Sequence, residues 1–300
     1  MKRNLNFKAR FVIIFNYLTI FHCFNWLSDK SYLRLSYRIH MGRKLDLNNP
    51  KSLTEKIQWL KLYNRNPLYT TLADKCSVKL WVKEKIGKDI TIPTLGVWSR
   101  FEDIDFSNLP EQFVLKTTHD SGGVKIIKEK SNVNYESLKK WFNRRLKKNM
   151  FFWGREFVYK DITPRIIAEP YMEDKKYGEL RDYKFFCFGG TPRIMYVATE
   201  RQKGEAKFDF FDMKYNHLNL LNGHPNATIQ PEKPESFELM KEYAAILSKD
   251  FPFVRVDFYE INDVPYLGEM TFYHMCGFLG FTPDEWDYKM GEWLVLPEFQ

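Results

Sequence analysis

The sequence predicts an α+β fold on three observations. Up to Gly87 the signals are helical. From Ile92 onward, short apolar runs alternate with turn residues. Several of these runs form adjacent pairs joined by glycine or asparagine turns, the pattern of antiparallel hairpins, with helices placed between them.

The elements follow in order. Lys2, Arg3, Lys8 and Arg10 head an uncharged run from Phe11 to Ser28. In it Phe11, Ile14, Phe15, Leu18 and Phe21 recur at helical spacing. Asn16, Thr19, His22 and Asn25 interrupt the run and no small-residue cleavage site follows, unlike a signal peptide. A spanning helix needs ~20 mainly apolar residues, so a span is marginal here. Two other readings stand: a helix docked on its own protein, and a helix lying on an anionic membrane surface through residues 1–28.

Residues 29–46 read as helix, turning at Gly42. Pro50 breaks the chain, and Ser52 with Glu55 makes a capping box. The helix behind it turns Ile57, Trp59 and Leu60 inward. One further helix is expected over Leu72–Ile86, ended by Gly87. Ile92–Trp98 and Phe113–Lys116 read as strands, with Lys125–Ile127 as the hairpin partner of the second. The basic run over 135–149 is a helix. Arg165–Glu169 is a strand ended by Pro170. Asp182–Phe188 and Ile194–Thr199 form a hairpin about Gly189-Gly190. Residues 200–235 read as loop, and Ser236–Ser248 as helix. Phe253–Tyr259 and Tyr266–Met270 form a second hairpin about Asn262-Asp263.

With 300 residues, 44% hydrophobic and 28% charged, the chain has globular composition. That excludes disordered, collagenous and disulfide-scaffold classes. The net charge of +8 points to an anionic partner. No zinc-finger spacing, RRM signature or basic zipper is present, so nucleic acid is not the expected partner. Cys23, Cys76, Cys187 and Cys276 are far apart, with no C-x-x-C pair. A reducing compartment, the cytoplasm, is the default.

Three constellations carry chemistry. In the first, Lys116 ends a strand and Gly122-Gly123 follow in a small flexible loop. Glycine lets backbone N–H groups approach a phosphate, and the lysine supplies a point charge. A plain hairpin turn explains the same residues about as well. In the second, Arg255 and Asp257 share one strand face, while Glu269 and Thr271 share a face of the partner strand. Facing carboxylates repel unless a cation lies between them. Mg²⁺ suits carboxylates plus phosphate oxygens, and Arg255 can stabilise charge on a transferring phosphoryl group. The competing reading is an Arg255–Asp257 surface salt bridge. In the third, Glu169-Pro170-Tyr171-Met172 ends a strand and can hinge two lobes around a base.

In that serial order the chain resembles the TupA-like ATP-grasp proteins of bacterial surface-polysaccharide gene clusters. The resemblance runs from Ser31 to Pro297. It is carried by Tyr37-Arg38 to Leu45, by Asn49 to Leu60, and by Ala73-Asp74-Lys75. Phe113 to Gly123, Arg181 to Phe185, and Gly268 to Tyr273 complete it. It implies a nucleotide held between two α+β lobes, preceded by a short N-terminal helical segment. The expected division is 1–46, 47–110 (N-terminal lobe), 111–168 (central lobe) and 169–300 (C-terminal lobe with the metal site).

Residue roles follow from the same resemblance. Lys75 and Lys116 would be the phosphate lysines, with Gly122 and Gly123 in the covering loop. Glu169 would accept from the adenine amino group, beside Tyr171 and Met172, and Asp182 would hold the ribose. Asp257 and Glu269 would bind Mg²⁺. Many ATP-grasp enzymes carry Asn two residues past the glutamate; here it is Thr271, whose hydroxyl would ligand or orient the metal, at a weaker position. Arg255 and Lys116 would serve the transferring phosphoryl group. His119, Lys184, Lys214 and His274 are candidate substrate contacts.

The implied activity is an ATP- and Mg²⁺-dependent carboxylate–amine ligase acting through an acyl phosphate. In a polysaccharide setting the carboxylate is a uronic acid of an acidic glycan, and the amine an amino acid. Such an enzyme would work in the cytoplasm or on the inner face of its membrane. The rival readings are a glycosyltransferase using a sugar nucleotide, though no D-x-D motif is present, and a non-catalytic scaffold with a degenerate nucleotide site.

Overall fold

Two antiparallel sheets face each other across a cleft, and helices cover their outer sides. The structure is a computed structural model, and it describes residues 7–201 and 204–298. Lys2 and Arg3, the head of the basic N-terminal run, lie outside the described residues.

The N-terminal part is helical: α1 (Phe7–Ile20), α2 (Asp29–Met41), α3 (Leu53–Tyr63), α4 (Leu68–Ala73) and α5 (Val78–Ile86). Gly42 closes α2 in the left-handed conformation with φ 75°. The capping box forms: the Ser52 side chain accepts from the Glu55 N–H, and Glu55 accepts from the Ser52 N–H. Ile57, Trp59 and Leu60 are buried. The single helix expected over Leu72–Ile86 is instead two. Asp74 accepts from the N–H groups of Cys76 (2.9 Å) and Ser77 (2.7 Å), and this Asx turn breaks the helical run. Lys75 therefore sits in a turn.

The smaller sheet contains β1 (Gly96–Trp98), β2 (Phe113–Thr117), β3 (Val124–Ile127) and, after α6 (Tyr135–Leu146) and α7 (Phe151–Gly154), β4 (Ile166–Pro170). Its order is β1-β4-β2-β3. Strand alternation divides its faces. Phe113, Leu115, Ile166 and Ala168 turn to a core shared with Leu138 and Phe142 of α6. Val114, Lys116 and Glu169 turn to the cleft.

The larger sheet is β5 (Asp182–Phe188), β6 (Thr191–Thr199), β7 (Lys207–Asp212) and, after α8 (Phe237–Ser248), β8 (Phe253–Ile261) and β9 (Val264–Thr271). Its order is β7-β6-β5-β8-β9, and α9 (Glu285–Trp293) follows. Strand β7 falls in the tract expected to be loop. The β8–β9 turn is at Asn262-Asp263, both with positive φ (49° and 65°), as a two-residue hairpin turn requires.

Candidate functional site

The site is built from cross-strand rungs on the cleft face of the larger sheet. Lys184 on β5 is the register partner of Asp257 on β8, and Asp257 is the register partner of Glu269 on β9. The next rung joins Phe186, Arg255 and Thr271. A bulge lies just past Asp257, with Gly268 as the extra residue between Leu267 and Glu269. Bulges of this kind re-aim side chains beside active sites. Tyr259 crowds Gly268: a Cβ there would lie 2.8 Å from its ring.

Charge is tightly paired on this face. Arg255 donates from Nε to Asp257 Oδ1 and from Nη2 to Asp257 Oδ2, both at 2.7 Å. The salt bridge read in the sequence thus exists, but it is buried. Nη2 also donates to Thr271 Oγ1 at 3.0 Å. Lys184 bridges Asp257 (2.5 Å) and Asp182 (3.0 Å), and Arg201 also pairs with Asp182. Burial opposes ionisation of Asp182, yet Lys184 and Arg201 outweigh it and hold the carboxyl below its ordinary 3.8. Glu269 accepts no hydrogen bond and joins no ion pair among the described residues, although it lines the cleft.

The smaller sheet contributes the opposite wall. Glu169 holds Lys79 on Oε1 and Lys116 on Oε2, each at 2.5 Å. Burial disfavours this carboxylate, but the two ammonium groups more than compensate and its pKa falls below 4.5. Burial also disfavours the Lys116 ammonium, and Glu169 reverses that, raising its pKa. Exposed Val124 and Ile126 face the cleft with Val114, Pro170, Tyr171 and Met172. They form an apolar slot next to the charged end.

The loop between β2 and β3 is pinned. Lys75 Nζ donates to the Asp120 carbonyl, Thr117 to the Asp120 carboxylate, and Arg145 Nε to Asp120 Oδ2 at 2.7 Å. Gly122 has φ 73° and lines the cleft. A Cβ on Gly123 would lie 1.7 Å from Thr117 Oγ1, so only glycine fits this tip.

The structure therefore brings Lys75, Lys116, Gly122, Glu169, Asp182, Lys184, Asp257 and Glu269 into one cleft, with Tyr171 and Met172 at its apolar end. Gly123 supports the loop. Arg255 and Thr271 stand behind Asp257. Three candidate substrate contacts lie elsewhere. His119 is buried, with Nε2 at 3.2 Å from the Arg145 carbonyl. Lys214 is exposed in the turn after β7. His274 is buried, where burial and Arg255 push its pKa well below the ordinary value. As a neutral ring it accepts from Arg255 Nη1 on Nδ1 (2.7 Å) and donates from Nε2 to Asn222 Oδ1 (2.9 Å).

Sequence reasoning missed Lys79, Arg201 and Tyr259. Lys79 had a signal: it lies four residues past Lys75. Arg201 had none, since it follows a strand inside a polar tract.

Two facing carboxylates, one of them without a partner, lie at the charged end of a cleft whose other end is apolar. Carboxylates suit Mg²⁺ when phosphate oxygens complete its shell. A family model described as TupA-like ATPgrasp matches residues 55–295. The chain belongs to the TupA-like ATP-grasp family. ATP with Mg²⁺ is the cofactor pair of ATP-grasp enzymes, and the α+β lobes around this cleft are their fold. No curated protein matches the sequence. Solved structures similar to this chain include D-alanine–D-alanine ligase from Bacillus anthracis, at 18% identity and TM-score 0.38, covering 67% of this chain and 56% of that one. The same enzyme from Helicobacter pylori shows 17% identity and TM-score 0.42, covering 76% and 60%. An L-amino acid ligase from Bacillus licheniformis shows 9% and 0.43, covering 81% and 55%. The chain thus spans 54–60% of the length of the D-alanine–D-alanine ligases it matches. At these scores the family match, and not these likenesses, carries the assignment.

Proposed function

We propose that this protein is an ATP- and Mg²⁺-dependent carboxylate–amine ligase. It joins an amino acid or other amine to a uronic-acid sugar in the biosynthesis of a bacterial surface polysaccharide. The observation that supports this reading best is the Lys184–Asp257–Glu269 rung facing the Lys79–Glu169–Lys116 clamp across one cleft.

In this reading Asp257 and Glu269 would hold Mg²⁺, which would supply positive charge to offset that of the phosphates. Thr271 acts on the metal position through its bond to Arg255. Lys75 and Lys116 take the phosphates, with Gly122 and Gly123 in the covering loop. Val124, Ile126, Tyr171 and Met172 enclose the base, Glu169 faces its amino group, and Asp182 holds the ribose. The substrate carboxylate oxygen bonds to the γ-phosphorus as the bond to the β–γ bridging oxygen breaks, and ADP leaves. The amine nitrogen then bonds to the acyl carbon, phosphate leaves, and the nitrogen gives up a proton. The chain's part is positioning and fixed charge, which phosphoryl transfer chiefly needs. The basic surface matches an acidic glycan, and the N-terminal helix would place the enzyme beside a lipid-linked one.

Thermal melting with Mg²⁺ plus ATP, ADP, UDP, UDP-sugars and GDP-sugars tests this without the unknown substrate. A ligand of the folded state alone stabilises by about 2.7 kcal/mol at a hundredfold excess over its Kd. Mg-ATP and Mg-ADP should raise the melting temperature, and Glu269→Gln should remove the rise. A rise with sugar nucleotides alone would replace the ligase by a glycosyltransferase. Uronic acids with amines, screened for ADP release, then test the substrate class.

A further inference from the structure

From Phe11 to Ile20, helix α1 carries apolar residues on every side, with Asn16 and Thr19 its polar members there. A helix of that kind is ordinarily buried all round, yet α1 is buried along one stripe only. Phe15 and Thr19 are buried, and Phe15 stacks on Phe24 (4.9 Å) and Tyr32 (6.1 Å). Asn16 pairs with His40 at 3.0 Å. These contacts settle that the helix docks on its own protein.

The opposite side has no cover. Phe11, Ile14, Tyr17, Leu18, Ile20 and Phe21 are 40–62% exposed. At 100° per residue they span about half of the helix circumference, and no charged residue lies among them from Phe11 to Phe21. Trp26, in the turn that follows the helix, is 80% exposed. A contiguous exposed surface of this kind marks an interaction site.

The surroundings are cationic. Residues 1–28 contain no Asp or Glu, and neither do residues 137–155. The two segments meet in space. Ile20 and His22 line a groove with Arg145, Lys147 and Lys148, and the last two are exposed. At the other end of the helix Arg10 is exposed. A second copy of the chain would set these rims against each other with no acid in either segment to pair them. The described helix is too short to span: its 14 residues rise about 21 Å against a hydrocarbon core of ~30 Å. No helix among the described residues is long and apolar enough to cross a membrane.

We propose that α1 lies in the interface of an anionic lipid bilayer, with its outward arc at the acyl boundary and Lys147 and Lys148 on lipid phosphates. The cationic rim and the charge-free arc match that surface in both charge and polarity. The proposal rests on α1 and its rim and needs no ligase chemistry.

Flotation of the full chain with lipid vesicles, without nucleotide, is the test. The wild type should float with phosphatidylcholine vesicles containing phosphatidylglycerol, much less with phosphatidylcholine alone, and less as salt rises. Ile14→Glu with Phe21→Glu should abolish flotation while the melting temperature holds, since both side chains face outward. Lys147→Gln with Lys148→Gln should cut partition into anionic vesicles roughly thirtyfold, about fivefold for each lysine. A wild type that ignores anionic vesicles would overturn the proposal, as would a double-Glu variant that floats equally well. So would a vesicle-blind dimer that the double-Glu change makes monomeric, which would make the arc a self-interface. Each readout is independent of ATP, so failure of the ligase reading would leave them unchanged.

Discussion

Asp257 and Glu269 are register partners on neighbouring antiparallel strands, and they differ in their surroundings: Arg255 and Lys184 engage Asp257, whereas Glu269 has no hydrogen-bond or ion-pair partner among the described residues. Directly opposed side chains on such strands sit about 4.5–5.5 Å apart at Cβ. In the proposed function a divalent cation would lie between them, and Glu269 is the carboxylate of the two that no hydrogen bond or ion pair already holds.

Glu269→Gln should therefore separate metal binding from folding. The melting temperature without ligand should stay within a few degrees, because no contact is removed. Mg-ADP affinity should fall by at least the 10–100-fold that outer-shell changes cost at metal sites. Calorimetric titration in Mg²⁺ checks this, and an unchanged affinity would remove Glu269 from the metal site.

Glu169→Gln should change the acid limb of stability. The folded Glu169 carboxyl lies below 4.5, so its contribution is present above that pH and is lost as pH falls through the folded value. The variant should lose of order 3 kcal/mol near neutrality, since two lysines keep their charge without their partner. Its stability should then fall less steeply below pH 4.5. Lys116 has the opposite sign: its pKa is raised above 10.5, so its share is complete below that pH and is lost above it. Urea melts across the pH range read both limbs, and parallel curves for the two proteins would contradict the clamp.

Gly123→Ala should distort the loop between β2 and β3. The added methyl would lie 1.7 Å from Thr117 Oγ1, so the backbone must move, at about 1–3 kcal/mol for such overpacking. Mg-nucleotide affinity should drop with it. A variant of wild-type stability and affinity would show that the loop has room.

Much of this was legible in the chain. The β8–β9 hairpin announced itself through alternation and the Asn262-Asp263 turn, but counting from that turn sets Asp257 opposite Gly268; the bulge at Gly268, which no local pattern reveals, is what sets Asp257 opposite Glu269 and Arg255 opposite Thr271. The capping box at Ser52 and the strand ending at Lys116 were equally local signals. What escaped depended on contacts far apart in sequence. Lys79 earns its place only because β4 brings Glu169 to it from ninety residues away. Arg201 is defined by Asp182, and His274 by Arg255 and Asn222, none of which a local pattern reveals. Strand β7 was hidden because its neighbours on both sides are polar turns. The helix break at Asp74 left one signal, an aspartate that favours Asx turns over helix interiors, but the apolar helical spacing on both sides of it outweighed that residue.

Titration of Mg-ADP into the wild type and Lys116→Ala tests the central claim, a nucleotide bound in this cleft, most directly. Binding to the wild type should be saturable, weaker by about tenfold or more in the variant, and free of competition from UDP- or GDP-sugars. Binding that Lys116→Ala leaves unchanged, or that sugar nucleotides displace, would contradict it.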